Sequence, residues 1–234
     1  MFDIKKILLA SCAVLVSSGA LAEMQSSTID GLYNTGAGFE AGAVDTHYTF
    51  ERIEGTATGT DGHGVTAAGK GFPFNTWLQN SVASTWLTPA ASAARSYDPK
   101  ADGLYKWSLS FDLTGFDSAT ASFAGRWAAD NNGYIQLNGS TIETGSKFNG
   151  WTSFSALSGF GAGVNTLDFF VTNYGWAGSN PTGLRVEFLS SSVSAMPPAP
   201  HLPAAVLAVP EPSPSVMILA GLVVVGAVAR RRIG

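Results

Sequence analysis

A chain of 234 residues in which only 13% are charged and 45% are hydrophobic has about half the charge of an average soluble protein, for which roughly 25% is usual. Its formal net charge of -4 argues against a nucleic-acid binder, because phosphate would be repelled. The single cysteine, Cys12, excludes a disulfide-stapled scaffold. Length alone allows one substantial domain or two small ones.

The chain begins with a charged segment holding Lys5 and Lys6, then an apolar run from Ile7 to Val16, then Ala20-Leu21-Ala22. This is the order of a secretory signal, with Ala20 and Ala22 as the small residues that signal peptidase reads and cleavage after Ala22. Leu9-Ala10-Ser11-Cys12 offers a lipobox as the rival reading. Against it, the apolar run continues past Cys12, whereas a lipoprotein signal completes that run before the cysteine. With residues 1–22 removed, the mature chain contains no cysteine, and its stability rests on its core.

Period-two alternation governs the middle of the chain. His47 to Ile53 reads as a strand, and Tyr105, Trp107, Leu109, Phe111 and Leu113 alternate with polar partners. Ala121 to Trp127, Tyr134 to Leu137, Leu167 to Val171 and Leu184 to Phe188 repeat the pattern. Asn132-Gly133 between two strand patterns is a hairpin signal, and Asn138-Gly139 comes directly after. No internal segment holds a helical period, so the expectation is an all-β fold, an antiparallel β-sandwich or jelly roll, spanning residues 23–193. Residues 23–100 are glycine-rich and are expected to complete the same sandwich.

Phe123 to Gly139, with Gly163 to Val171 and Gly183 to Val186, resembles the strands of galactose-binding-like jelly rolls over about residues 105–190. The resemblance implies a fold more than a function, since such folds host many activities.

Chemistry is sparse. His47, His63 and His201 form no metal or catalytic motif. Gly64 to Gly71 approaches a phosphate loop, but Gly71 stands where Ser or Thr must reach magnesium. Asp130 and Asn132 offer oxygen ligands suited to calcium, and Asp98 and Asp102 make a weaker version of that pattern; for the former a plain Asn-Gly turn is the better explanation, because it fits the turn rules. Otherwise no cofactor is expected. Trp107 and Trp127 fall on buried strand faces. Trp151, Tyr174 and Trp176, with Asn173, lie in Gly/Asn/Ser-rich loops and are the candidate glycan contacts, the alternative being that they cap the sandwich core.

From Met196 to Pro203 a proline-rich stretch forms a semi-rigid spacer, assigned to residues 194–208. Val209-Pro210-Glu211-Pro212 comes next, then an apolar stretch to Ala229 and Arg230-Arg231-Arg232. An apolar helix over about 214–229 is short for a span of roughly 20 residues, but local bilayer thinning lets it cross. The arginines orient it with the C-terminus cytoplasmic. A signal helix and a transmembrane helix thus bracket the β-sandwich.

Residues 209–234 resemble the PEP-CTERM sorting signal: Pro-Glu-Pro, a short transmembrane helix and a terminal basic cluster. The resemblance implies an exosortase as partner, transient anchoring in the inner membrane of a Gram-negative bacterium, and delivery to the surface or beyond. A simple tail anchor accounts for the helix and arginines but not for Pro-Glu-Pro. Without its two ends the chain keeps 8 of its 13 basic and 15 of its 17 acidic residues, a net charge of about -7, which disfavours anionic lipid and DNA. The expected function is that of a non-catalytic surface or matrix protein associated with exopolysaccharide or biofilm. An exported carbohydrate-active enzyme and a purely structural surface protein are the alternatives.

Overall fold

The structure is a computed structural model that describes residues 26–58, 63–196 and 218. Among the described residues eleven strands occur in chain order: β1 (Ser26–Ser27), β2 (Val44–Glu54), β3 (His63–Thr66), β4 (Leu87–Thr88), β5 (Gly103–Asp112), β6 (Phe116–Asp130), β7 (Asn132–Leu137), β8 (Ser140–Thr144), β9 (Thr152–Ala156), β10 (Val164–Asn173) and β11 (Gly183–Ala195). Every strand pair is antiparallel. Among the described residues no helix is long and apolar enough to cross a membrane. The signal at 1–22, the lipobox, the proline stretch from 197 onward, the sorting motif and the helix over 214–229 lie outside the described residues, except Ile218. β11 continues to Ala195, two residues into the segment assigned to the spacer.

The hydrogen-bonded path runs β8-β7-β10-β5-β2-β3-β4-β11-β6-β9, with β1 on β11. It folds into two layers. β8, β7, β10, β5 and β2 form one; β4, β11, β6 and β9 form the other; β3 pairs with both β2 and β4 and turns the corner. From β5 onward the chain repeatedly crosses between layers, so sequence neighbours such as β6 and β7 sit in different sheets. This is the sandwich expected from the alternating pattern.

Alternation builds the core directly. Side chains of successive residues point to opposite faces, so one residue in two meets the facing sheet. Cross-strand register lines up Ile135, Phe169, Trp107 and Phe50 in one buried row. From the opposite layer Trp127 and Phe154 meet Phe169 at ring separations of 6.2 and 6.0 Å. Each such side chain contributes roughly 1.5–3 kcal/mol on burial. On the outside of the β10–β5 layer, Lys106 pairs with Glu51 at 2.6 Å and Tyr134 stacks on Phe170 at 4.5 Å.

The other layer is covered on both faces. Ala67, Phe74, Trp77, Trp86 and Ala93 from the β3–β5 connections pack with Ala128 of β6 into a second apolar cluster. That cover explains how Arg185 and Glu187, on the outward face of β11, are nearly fully buried. Glu187 accepts from Arg126 Nε at 2.8 Å, Ser84 Oγ at 2.7 Å and Arg185 Nη2 at 3.2 Å. Burial alone would raise its pKa, but the Ser84 hydroxyl and the Arg126 guanidinium hold the carboxyl below its ordinary value.

Of the two Asn-Gly pairs, one is a turn and one is not. Asn132-Gly133 is not a hairpin turn: both residues open β7 and pair with Thr172 and Val171 of β10. Glycine is needed there by packing, because a Cβ on Gly133 would lie 1.9 Å from the carbonyl oxygen of Phe170. The hairpin is at Asn138-Gly139, joining β7 to β8, with φ of 49° and 81° as a two-residue turn of this kind requires.

Candidate functional site

One end of the sandwich gathers the loops after β2, before β5, between β6 and β7, and after β10. Asp98 organises it. Its carboxylate accepts from the Thr56 N–H at 2.8 Å, from the Tyr105 hydroxyl at 2.7 Å and from Asn173 Nδ2 at 2.8 Å. Its own N–H donates to Thr56 Oγ1 and its carbonyl accepts the Trp176 N–H. Burial first, with the neighbouring carboxylate, pushes the Tyr105 hydroxyl well above its ordinary pKa, so it remains a donor. A Cβ on Gly103 would come within 2.3 Å of Asp98 Oδ2, which leaves glycine as the residue that fits.

This hub fixes the loop between β10 and β11. Tyr174 N–H donates to Asn131 Oδ1 at 2.7 Å, and Gly175 N–H donates to Asp102 Oδ1 at 2.8 Å. Asn180 Nδ2 donates to the carbonyls of Tyr97 and Tyr174, both at 2.9 Å. On so tied a backbone stand two solvent-facing rings, Tyr174 at 48% and Trp176 at 66% exposure. The Tyr174 hydroxyl accepts from Asn132 Nδ2 at 3.2 Å. The indole edge of Trp176 lies against Gly178, where a Cβ would be 2.4 Å from Nε1. Alongside opens a cleft of ≈ 380 Å³ lined by Glu54, Thr56, Lys100 and Asp102. An exposed aromatic beside charged and hydroxyl side chains matches the needs of a sugar, whose ring carries an apolar face and a polar rim.

The other candidates separate. Asn173 is fully buried and supports Asp98, so it cannot touch a ligand directly. Trp151 is partly buried on the second apolar cluster, with the guanidinium carbons of Arg126 and Arg185 at 4.6 and 4.8 Å from its ring. Those cations engage it inside the cover of the second layer. Of the calcium candidates, Asp130 Oδ2 accepts the Trp77 indole N–H at 2.9 Å and Asn132 Oδ1 accepts the Ser146 N–H at 2.9 Å. Among the described residues no group of three His, Cys, Asp or Glu side chains is placed to hold a metal ion. Asp98 and Asp102 act as acceptors that hold loops. The sequence carries no signal for the Asp98 hub, because its partners Thr56, Tyr105 and Asn173 are scattered along the chain.

No curated protein matches the chain by sequence. Among solved structures it is similar to a mutant family 29 carbohydrate-binding module complexed with mannohexaose, at 12% identity over 73% of this chain and 92% of that one, TM-score 0.32. It is also similar to the PA14 sugar-binding domain from an RTX adhesin, at 16% identity over 64% and 78%, TM-score 0.26. A family 35 carbohydrate-binding module from Cellvibrio japonicus matches at 14% identity over 67% and 96%, TM-score 0.27. A family model for the PEP-CTERM protein-sorting motif matches residues 208–232. The chain therefore carries a PEP-CTERM protein-sorting motif at residues 208–232 beside an all-β sandwich, and that motif implies an exported protein sorted by exosortase.

Proposed function

We propose that the protein is a non-catalytic, polysaccharide-binding component of the cell surface or extracellular matrix, retained on exopolysaccharide through Tyr174 and Trp176. The observation that carries this reading is a pair of exposed rings on a loop immobilised by buried hydrogen bonds, next to a polar cleft. A preordered loop binds without first losing conformational entropy, which favours a weak, repeated contact with a polymer. In the same proposal, signal peptidase removes residues 1–22. The helix over 214–229 then holds the chain in the inner membrane of a Gram-negative cell until exosortase acts near Pro210.

Binding is favoured over hydrolysis by the state of the carboxylates. Of the three carboxylates lining the cleft, Asp98 has both oxygens occupied by donors and Asp102 holds Gly175 through one, which leaves Glu54 as the one without a hydrogen bond among the described residues. Hydrolysis of a glycosidic bond needs an acid and a second carboxylate across it, both free to act.

Trp176→Ala tests the reading. Affinity electrophoresis through gels containing the host's own exopolysaccharide should show the wild-type chain retarded and the variant weakened about fivefold or more, as removal of an anchoring ring of at least about 1 kcal/mol implies. Because Trp176 lies outside the core, the variant should melt at the wild-type temperature. Equal retardation of both proteins would exclude the loop from binding.

A further inference from the structure

The far side of the same loop closes a second pocket, whose chemistry differs from that of the cleft. It has a volume of ≈ 160 Å³, and its walls include Phe72, Trp77, Phe148, Asn180 and Asp130. Asp130 is only 5% exposed. Its Oδ2 accepts the Trp77 indole N–H at 2.9 Å, and its backbone carbonyl accepts the Thr182 hydroxyl at 2.8 Å. Its Oδ1 is buried and has no hydrogen-bond partner. No Lys, Arg or His lines the pocket among the described residues.

A buried carboxylate oxygen without a donor is costly, on the order of several kcal/mol when charged, and is a rare feature in a folded protein. Burial here outweighs the Trp77 hydrogen bond and pushes the carboxyl pKa from 3.8 up to about 7. A neutral hydroxyl would supply a hydrogen bond but leave the charge uncompensated. An ammonium supplies both, and the pocket that would receive it is lined by the aromatic residues Phe72, Trp77 and Phe148. Asn131 Oδ1 already accepts the Tyr174 N–H and Asn180 spends its amide donor on the loop, whereas Asp130 Oδ1 is a buried acceptor left without a donor in a residue that lines the pocket.

We propose that this pocket receives the primary ammonium of an amino sugar, so that the polysaccharide recognised carries de-N-acetylated units. The inference rests on the polysaccharide reading above and adds the kind of sugar. Acetylation removes the positive charge and adds an acetyl group, so it should block recognition.

The test is calorimetric titration of the purified full chain with a tetramer of glucosamine, a tetramer of N-acetylglucosamine and a neutral glucose tetramer. The wild-type chain should favour the glucosamine tetramer by about tenfold or more over the other two. Asp130→Asn should abolish that preference and weaken retardation on the exopolysaccharide without lowering the melting temperature. Equal affinity for the three tetramers, no binding of the glucosamine tetramer, or an unchanged preference in Asp130→Asn would overturn the inference. If Trp176→Ala leaves retardation unaltered while Asp130→Asn abolishes the amine preference, the loop reading fails and the pocket stands.

Discussion

Asp130 is a carboxyl buried against aromatic rings with one oxygen paired and one not, and its protonation should therefore be written into the stability of the fold. Its folded-state pKa is raised from 3.8 to about 7 by burial. The folded state thus binds this proton more tightly than the unfolded chain. Stability from this group is greatest below about pH 4, declines as pH rises, and the full cost applies above about pH 7. Asp130→Asn keeps an oxygen for the Trp77 N–H and removes the ionisation. Thermal melts should show the variant more stable than wild type at pH 8 by about 1–3 kcal/mol, within the ceiling of about 1.36 kcal/mol per pKa unit, and equal to it near pH 4. A variant less stable than wild type at pH 8 would contradict this view of the site. None of this was legible in the sequence, where Asp130-Asn131-Asn132-Gly133 reads as a turn or a calcium loop. What decides the role of Asp130 is Trp77, distant in the chain and brought near by the cover over β6.

At the scale of elements, strands with a wet face and a dry face were legible, and those covered by other segments or too short to alternate were not. β2, β5, β6, β7, β10 and β11 all announce themselves by period two. β4 has two residues and β9 reads Thr-Ser-Phe-Ser-Ala, too little for a pattern. Within β11, Arg185 and Glu187 keep the alternation even though the cover segment buries them, because each charge is paired there. The Asn-Gly pairs show why turn chemistry alone misleads: the pair at 138–139 turns the chain, whereas the one at 132–133 lies in a strand after a crossover between sheets. Gly133 is retained by contact with Phe170, not by a positive φ. Gly133→Ala should accordingly destabilise the protein by about 1–3 kcal/mol as an overpacking change, measured by urea unfolding. A loss below about 0.5 kcal/mol, the scatter of an ordinary surface change, would mean that β7 and β10 approach less closely than the structure has them.

At the scale of the whole molecule, the readable parts of the sequence lie at its ends and the binding chemistry lies in its loops. The Pro-Glu-Pro motif, apolar stretch and arginine cluster are contiguous, so their meaning survives in one dimension. The candidate binding end of the sandwich is assembled from Glu54, Asp98, Asn131 and Gly175 and their neighbours, whose proximity exists only after folding. Of the four glycan candidates, Tyr174 and Trp176 reach solvent together because the loop is pinned by Asp98 and Asp102, Asn173 became part of the pin, and Trp151 was drawn under the cover by two arginines.

Sorting and retention on polysaccharide meet in one measurement: the intact mass of the protein recovered from the polysaccharide fraction outside the cells and from the membranes. The expected species begins at Glu23, ends near Pro210 and is enriched with the polysaccharide. A protein found only in membranes, still carrying Arg230, Arg231 and Arg232, would contradict that expectation and reduce the tail to a permanent anchor.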